Sequence, residues 1–267
     1  MDQPRLRALV LGFPALLVAV GLVALWSIQP DRAPIVGPGG ASPSVEATAS
    51  LPPLLSTEET YAAFTAGGPA TSGGLPVRLS TFVAGELVLP TGRLVAADAF
   101  FFSAAPFART VPTGRHPVSL LKSAEGPAFG HIAAAMLRFA PGDPVSWELA
   151  VVAGQDPAKL QPGELLGYGV DSGTGCFASP EAVAAVASGV DFDDYSEEIH
   201  HGMFPSDDVA DWNHSVEVVV DEATGANVIG FSSGFGDGVY PSWFGLDIDG
   251  KPMMLLTDFG ILEAPAS

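Results

Sequence analysis

The segment Ser232–Gly250 reads SSGFGDGVYPSWFGLDIDG and places glycines, aromatic residues and three aspartates within nineteen positions. Glycine and aspartate are favoured in tight turns, and large rings supply contact area, so this composition predicts structured loops and strands rather than a spacer. A second segment, Gly167–Phe177, reads GYGVDSGTGCF and has the same character. We expect these two glycine-rich segments to meet and to form one site.

Hairpin signals surround both segments. VEVVV at 216–220 and VIGFSS at 228–233 flank a polar turn and predict one hairpin. WFGLDI and PMMLLTDF, joined through Asp249 and Gly250, predict a second. Short runs typical of strands also occur upstream, at 77–83, 86–90, 93–98, 116–122 and 145–152.

Capping signals predict two short helices. The pattern SxxE at Ser56–Glu59 is a capping box, and the helix that it starts should end near Gly67. In SPEAVAAVASG, Ser179 is a suitable N-cap, Pro180 suits the first helical position and Gly189 suits the end. The apolar run at 131–140 fits either a helix or a strand, whereas the acidic stretch at 190–213 is interpreted as irregular.

The N-terminal region predicts a membrane anchor. Residues 8–28 contain no charged side chain, and a helix of this length would be about 31 Å long, close to the ~30 Å hydrocarbon core of a bilayer. Arg5 and Arg7 precede the span, so the positive-inside rule places the N-terminus in the cytoplasm and the rest of the chain outside. A cleaved signal peptide is the competing interpretation, but its apolar region is usually shorter and no clear cleavage site follows Ile28.

These patterns define the expected organisation of the chain. The predicted fold class is α+β, mainly antiparallel β hairpins with a few short helices, preceded by an N-terminal transmembrane helix. The six prolines within 29–56 indicate a linker that lets the following domain stand clear of the membrane. The expected parts are a cytoplasmic N-terminus at 1–7, a transmembrane anchor at 8–28, the linker at 29–56 and a single extracytoplasmic globular domain at 57–267.

The charge is strongly one-sided. The net charge is −19, and between Gln161 and Gly250 there are 17 acidic residues but no Lys or Arg. Such a chain has few cations to exchange for phosphate counterions, which excludes nucleic acid as an expected partner. A solvated acidic face is one interpretation. The other is that Arg109 and Arg115 pair with Asp171 or Asp237, since arginine can bond a carboxylate with two parallel donors.

The aspartates of the glycine-rich segments are candidate ligands of a divalent cation. Asp171, Asp237 and Asp247 carry the oxygen atoms that Ca²⁺ prefers, although their spacing does not follow an EF-hand. The alternative is a role in turns, because aspartate bonds its own backbone and Asp-Gly is a common hairpin signal.

Cysteine and histidine offer weaker candidates. Cys176, the only cysteine, lies in a small-residue turn that suits a nucleophile, but a lone cysteine is more often a small buried hydrophobic residue. His200 and His201 lie beside two glutamates in EEIHH without zinc-ligand spacing, so we expect a solvated acidic loop there.

Several motifs, in order, resemble those of the bacterial domain-of-unknown-function family 4241. They are PTGRLVAADAF, PFARTVPTGRHPV, GYGVDSGTGCF and SGFGDGVYPSWFGLDIDGKPMMLLTDFG, which together cover roughly 89–260. The resemblance implies no activity and no catalytic residue. The matching positions are Arg109, Arg115, Gly167, Tyr168, Asp171, Gly175, Cys176, Gly234, Gly236, Asp237, Tyr240, Pro241, Trp243, Gly245, Asp247, Asp258 and Phe259.

We expect a binding or interaction module that holds a protein or small-molecule ligand where the glycine-rich segments meet. The alternative is a metal-dependent or acid/base hydrolase that uses loop aspartates. The expected binding residues are Arg109, Arg115, Tyr168, Asp171, Asp237, Tyr240, Trp243 and Asp258, and the catalytic candidates are Asp171, Asp237 and Cys176.

Overall fold

The computed structural model describes residues 54–67, 69–161 and 164–265. The predicted membrane segment at 8–28, the N-terminus at 1–7 and the linker as far as residue 53 lie outside these ranges. Among the helices in the described ranges, none combines the length and the apolar character that a membrane crossing requires.

The described chain contains fourteen strands and three α-helices, so the predicted α+β class with mainly antiparallel strands is confirmed. The helices are α1 (Thr57–Ala66), α2 (Pro180–Ser188) and α3 (Phe192–Met203). The strands are β1 (Ala70–Ser72), β2 (Leu75–Val77), β3 (Leu79–Leu89), β4 (Val95–Asp98), β5 (Gly114–Ser123), β6 (Ile132–Arg138), β7 (Ser146–Leu149), β8 (Tyr168–Val170), β9 (Thr174–Ala178), β10 (Ser215–Asp221), β11 (Ala226–Ser232), β12 (Gly238–Tyr240), β13 (Ser242–Leu246) and β14 (Pro252–Asp258). Short 3₁₀ turns occur at Pro157–Lys159 and Val209–Asp211.

Two antiparallel sheets pack face to face. The large sheet has the strand order β3-β5-β6-β14-β13-β7, and the small sheet has the order β10-β11-β9-β4. One core cluster lies between them and contains side chains of both sheets, such as Leu120 and Leu137 of the large sheet and Phe177 and Phe231 of the small sheet. The sheets therefore form the two central layers of the domain.

Helices cover the outer face of each sheet. α1 places Ala63 and Phe64 against the large sheet in a second core cluster, and α2 and α3 cover the small sheet in a third. Because both faces of the central strands are buried, their sequences lose the apolar–polar alternation of a half-exposed strand. This explains why the apolar run at 131–140 was ambiguous, since all of Ile132–Leu137 in β6 is buried.

The caps and hairpins follow the sequence signals. Ser56 forms the expected capping box with Glu59, and Gly67 ends α1 in the left-handed conformation. Ser179 caps α2, whose end is followed by Gly189. The hairpins β10–β11 and β13–β14 are both present, so these predictions are confirmed.

The prediction that 190–213 is irregular is wrong. Asp191 caps α3 by accepting hydrogen bonds from the backbone N–H groups of Asp193 and Asp194. Three buried residues of α3 form an apolar stripe at a spacing of four residues: Tyr195, Ile199 and Met203. The acidic residues between them conceal this stripe in the sequence, because they occupy the solvent face of the helix.

The segments that flank the core sheets are joined to each other. The Leu55 N–H donates to the Leu262 carbonyl at 3.1 Å, and Thr71 and Glu263 exchange backbone hydrogen bonds at 3.0 and 2.8 Å. The Gly74 N–H also donates to the Glu263 carboxylate at 2.9 Å. The start and the end of the described chain thus close over the same side of the large sheet, with α1 packed beside them.

Candidate functional site

The two glycine-rich segments meet, as the sequence predicts. β8 from the first segment pairs with β12 from the second in an antiparallel ladder that sets Tyr168 opposite Tyr240. Beyond this ladder each segment makes a turn, and the Ser233 N–H donates to the Gly173 carbonyl at 3.1 Å. The ladder and this bond fix the turns at 171–174 and 233–236 side by side.

A buried carboxylate holds the first turn. Asp98 ends β4 and is 2% exposed. One of its oxygens accepts the backbone N–H groups of Asp171 and Ser172, each at 2.8 Å, and the other accepts that of Phe100 at 2.8 Å. Three charge-assisted bonds compensate the burial of the charge and fix the turn at 171–172 against β4.

Tyr240 supports the second turn from below. Its hydroxyl oxygen lies 2.7 Å from the Gly236 carbonyl and 3.1 Å from the Ser233 carbonyl, so its proton can be donated to either. The turn closes through the Gly236 N–H, which donates to the Ser233 carbonyl at 2.7 Å. Gly234 has φ +51°, and a Cβ there would lie 2.9 Å from Cβ of Phe259, so only glycine fits without displacement.

Both turns line a single cavity of about 590 Å³. Ser172–Thr174 and Ser232–Gly236 form one side, and the end of α3 with the loop that follows it forms another. Three histidines contribute to the lining, His131, His200 and His214, and we call the space the histidine cavity. Its volume is within the ~300–1,000 Å³ typical of small-molecule sites.

His131 has a defined tautomer. Its Nδ1 lies 2.8 Å from the Gly234 carbonyl oxygen, which can only accept a hydrogen bond. Nδ1 therefore carries the proton, and in the neutral ring Nε2 is an acceptor. The ring also packs edge-to-face with Phe235 at a centroid distance of 4.9 Å. The second glycine-rich turn thus fixes both the position and the proton of His131.

His214 is a buried histidine with one unpartnered ring nitrogen. The residue is 4% exposed and has φ +60°, a conformation uncommon outside glycine. Its Nδ1 lies 3.4 Å from Oγ of Ser232, and within the described ranges Nε2 has no hydrogen-bond partner. Burial, with the nearby charges of Lys122 and His131, lowers the pKa of His214 to about 4, so the ring is neutral at pH 7.

Aromatic rings form a continuous wall of the cavity. Phe204 packs edge-to-face on Trp212 at 4.8 Å, and His200 and His214 lie next to these two rings at 5.6 and 6.0 Å. The indole N–H of Trp212 donates to the Ser206 carbonyl at 3.1 Å. The hydrogen bond fixes the orientation of the ring that the cavity presents to a ligand.

A second cavity of about 520 Å³ adjoins the first. It shares Ser172 and His200 with the histidine cavity and is otherwise lined mostly by phenylalanines and by α3. His201 lines this second cavity. Four of the five histidines of the chain therefore line the two cavities. The prediction of a loop around His200 and His201 is wrong because both lie in the last turn of α3, whereas their predicted exposure to solvent is confirmed.

The structure brings two of the predicted aspartates to the same end of the β8–β12 ladder. Asp171 follows Val170, which pairs with Gly238, and Asp237 directly precedes Gly238. Both aspartate side chains are exposed. Asp247 closes the β13–β14 turn by accepting the N–H groups of Asp249 and Lys251 at 2.9 and 2.8 Å. Within the described ranges, no three His, Cys, Asp or Glu side chains are grouped so that they could hold a metal ion. Asp247 thus has the turn role that the sequence offered as the alternative.

Cys176 lies inside the small sheet rather than in an accessible turn. It belongs to β9, is fully buried and packs in the cluster between the small sheet and its helices. Burial raises the pKa of its thiol far above the ordinary value, which opposes formation of a nucleophilic thiolate. The geometry favours the buried, structural interpretation.

The expected pairing of Arg109 and Arg115 with the loop aspartates is wrong. Arg109 Nε donates to Glu148 at 3.2 Å, and Arg115 Nε donates to Glu86 at 3.1 Å. Each arginine thus forms a salt bridge with a glutamate on a strand of the large sheet. Trp243 also belongs to this sheet, in β13. None of these residues lines either of the two cavities described above.

Asp258, the last predicted site residue, connects β14 to α1. Its carboxylate accepts the Thr60 hydroxyl at 3.0 Å and the Gly260 N–H at 2.8 Å. Burial is the main influence and raises the pKa of the carboxyl above its ordinary value of 3.8, against the smaller effects of these hydrogen bonds. Asp258 therefore joins two elements of the scaffold instead of lining the cavity.

The raised pKa of Asp258 predicts the direction in which stability changes with pH. A carboxyl that binds its proton more tightly in the folded state contributes stability below 3.8, and this contribution is lost as the pH rises through the higher folded-state pKa. Asp258→Asn should therefore gain stability relative to wild type as the pH rises from about 4 to 7, because the amide carries no charge to bury. Urea unfolding at several pH values measures this difference, with exposed Asp249→Asn as control. A difference that does not change with pH would contradict it.

A comparison with known proteins identifies a family. A family model described as "Protein of unknown function (DUF4241)" matches residues 87–257, a range that includes every residue of the histidine cavity. No curated protein and no solved structure matches the chain.

Proposed function

The chain belongs to the DUF4241 family, and we propose that this domain is a binding module whose small-molecule ligand occupies the histidine cavity. The observation that carries the proposal is His214, a nine-tenths buried residue in the cavity wall with an unpartnered ring nitrogen. Leaving a buried polar atom without a partner costs about 1–3 kcal/mol, and a ligand whose entry exposes and bonds Nε2, which the wall now closes to solvent, recovers this cost. The uncommon backbone conformation at His214 supports the same conclusion.

The construction of the cavity also supports a binding role. The buried polar groups of Asp98 and Tyr240 hold the two turns through hydrogen bonds, so the loops that line the cavity are pre-organised. A pre-organised site loses less entropy when a ligand binds. Aromatic rings next to a few fixed polar atoms are the usual lining of such sites.

The hydrolase alternative has less support. Its acid/base pair would be Asp171 and Asp237, and both side chains are exposed. General acid–base catalysis generally needs groups that are shielded and positioned against a substrate. The described cavity instead presents histidines, serines and rings, with Asp207 as the single carboxylate in its lining.

Binding at the cavity is testable with small aromatic probes. We expect indole, phenol or phenethylamine to raise the melting temperature of the full-length protein, since a ligand at a hundredfold excess over Kd stabilises the native state by about 2.7 kcal/mol. Trp212→Leu should abolish the shift, whereas Trp243→Leu, which changes a tryptophan outside the cavity, should retain it. Equal shifts in the two variants, or no shift with any probe, would contradict the proposal.

The module is further proposed to be displayed outside the cell membrane. Support comes from the uncharged stretch at 8–28, the arginines before it and the proline-rich linker after it. An N-terminally tagged full-length protein should stay in the membrane pellet after carbonate extraction, and deletion of 8–28 should release it. External protease should digest the domain in intact spheroplasts. Loss of the N-terminal tag from the mature protein would instead indicate a cleaved signal peptide.

A further inference from the structure

The lining of the histidine cavity contains no lysine or arginine. Asp207 supplies its one carboxylate, and His214 is neutral at pH 7. Most of the lining residues come from the segment 161–250, which contains 17 acidic residues and no Lys or Arg. The resulting field attracts cations to the cavity and repels phosphates and carboxylates.

The rings of the cavity are suited to a cation. Trp212 and Phe204 are half-buried and adjoin the acidic loop that carries Asp207. Phe235, at the opposite turn, is 65% exposed. An organic cation over the face of such rings gains about 0.5–1 kcal/mol at an exposed site and about 2 kcal/mol when desolvated, with tryptophan the strongest partner.

His131 contributes a hydrogen-bond acceptor to the cavity. Because the Gly234 carbonyl holds the proton of His131 on Nδ1, Nε2 of the neutral ring accepts a hydrogen bond and cannot donate one. An ammonium group has donors and no acceptor, so it complements this atom, whereas a carboxylate does not. The charge of Lys122 influences His214, but Lys122 does not line the cavity.

Building on the proposed function, we infer that the ligand of the histidine cavity is a small organic cation, an amine or alkylammonium with an aromatic or apolar body. Its charged group lies between Asp207 and the ring of Trp212, and its N–H groups reach Nε2 of His131. The apolar body occupies the part of the cavity lined by phenylalanines, among them Phe129.

Three probes with one aromatic body and different charges test this inference. They are phenethylammonium, neutral 2-phenylethanol and anionic phenylacetate, titrated into the full-length protein by calorimetry at pH 7.5. Phenethylammonium should bind about tenfold more tightly than 2-phenylethanol, a factor equivalent to about 1.4 kcal/mol, and phenylacetate should bind most weakly. Asp207→Asn should weaken phenethylammonium several-fold and leave 2-phenylethanol unchanged. Asp249→Asn, an exposed carboxylate in the β13–β14 turn, is the matched control and should change neither.

The outcomes separate this inference from the proposed function. Equal binding of the three probes, still lost in Trp212→Leu, would overturn the cationic ligand and leave the binding module in place. Tighter binding of phenylacetate that disappears in Lys122→Gln would likewise overturn it and indicate an anion site. Failure of all three probes would count against both proposals.

Discussion

Asp98→Ala is expected to lower the free energy of unfolding by about 2–4 kcal/mol and to loosen the turn at 171–174. The substitution removes the acceptor of three backbone N–H groups, and each buried donor left unpaired costs about 1–3 kcal/mol. We place the total below the sum because Asp171 and Ser172 are exposed and their N–H groups can reach water. Chemical denaturation measures the stability, and amide hydrogen exchange at 171–174 measures the turn.

Two further variants make this prediction specific. Asp98→Asn keeps the shape but turns an NH₂ group toward at least one of the N–H donors, so it should also destabilise, by less than alanine. Asp221→Ala removes a carboxylate that accepts hydrogen bonds only within the exposed turn between β10 and β11, and it should have a much smaller effect. Wild-type stability in Asp98→Ala, with unchanged exchange at 171–174, would show that the carboxylate does not hold the turn.

Phe231→Ala is expected to cost about 3–5 kcal/mol, the usual range for removing a buried phenylalanine ring. Phe231 is fully buried between the two sheets, 4.9 Å from the ring of Phe177 and 6.0 Å from that of Phe259. Its ring fills the space that Gly175 leaves open on the neighbouring strand, where a Cβ would lie 2.9 Å from it. Native stability is about 5–15 kcal/mol, so this loss leaves a marginal domain.

The position of Phe231 also predicts an effect on the site. Phe231 packs beside Phe259, and Phe259 lies against Gly234, so the void left by the ring lies close to the second glycine-rich turn. Melting temperature and probe binding should both fall in Phe231→Ala. Phe101→Ala removes a ring that is 64% exposed and should leave stability nearly unchanged. Similar losses in the two variants would contradict the assignment of Phe231 to the shared core.

The sequence predicts the local elements of the fold better than their assembly. The capping residues Ser56 and Ser179 and the two later hairpins follow from local chemistry, which acts over a few residues. The helix α3 is missed because its apolar stripe comprises only Tyr195, Ile199 and Met203 among acidic neighbours. The order of strands in the two sheets depends on contacts between residues that are distant in sequence. Composition and periodicity are local properties, so they do not predict this order.

The sequence likewise predicts some features of the candidate site and misses others. The prediction that the two glycine-rich segments meet is correct. It rests on their many turn-forming residues, which allow the backbones to approach closely. His131 and His214 are missed because they are far from each other in sequence and carry no ligand spacing. Asp98 is missed because it is an ordinary acidic residue until the fold buries it against the first turn. One sequence signal points to His214: between Gln161 and Gly250, three histidines are the only basic residues.

The central claim is that the two glycine-rich turns form a ligand site with Trp212 in its wall. Fluorine NMR of the full-length protein labelled with 5-fluorotryptophan tests it most directly, because the chain has four tryptophans and each can be assigned by a single substitution. On titration with phenethylammonium, the account predicts a saturable shift of the Trp212 resonance, with those of Trp147 and Trp243 unchanged. A saturable shift at Trp147 or Trp243 while Trp212 stays fixed would contradict it, since the ligand would then bind on the large sheet.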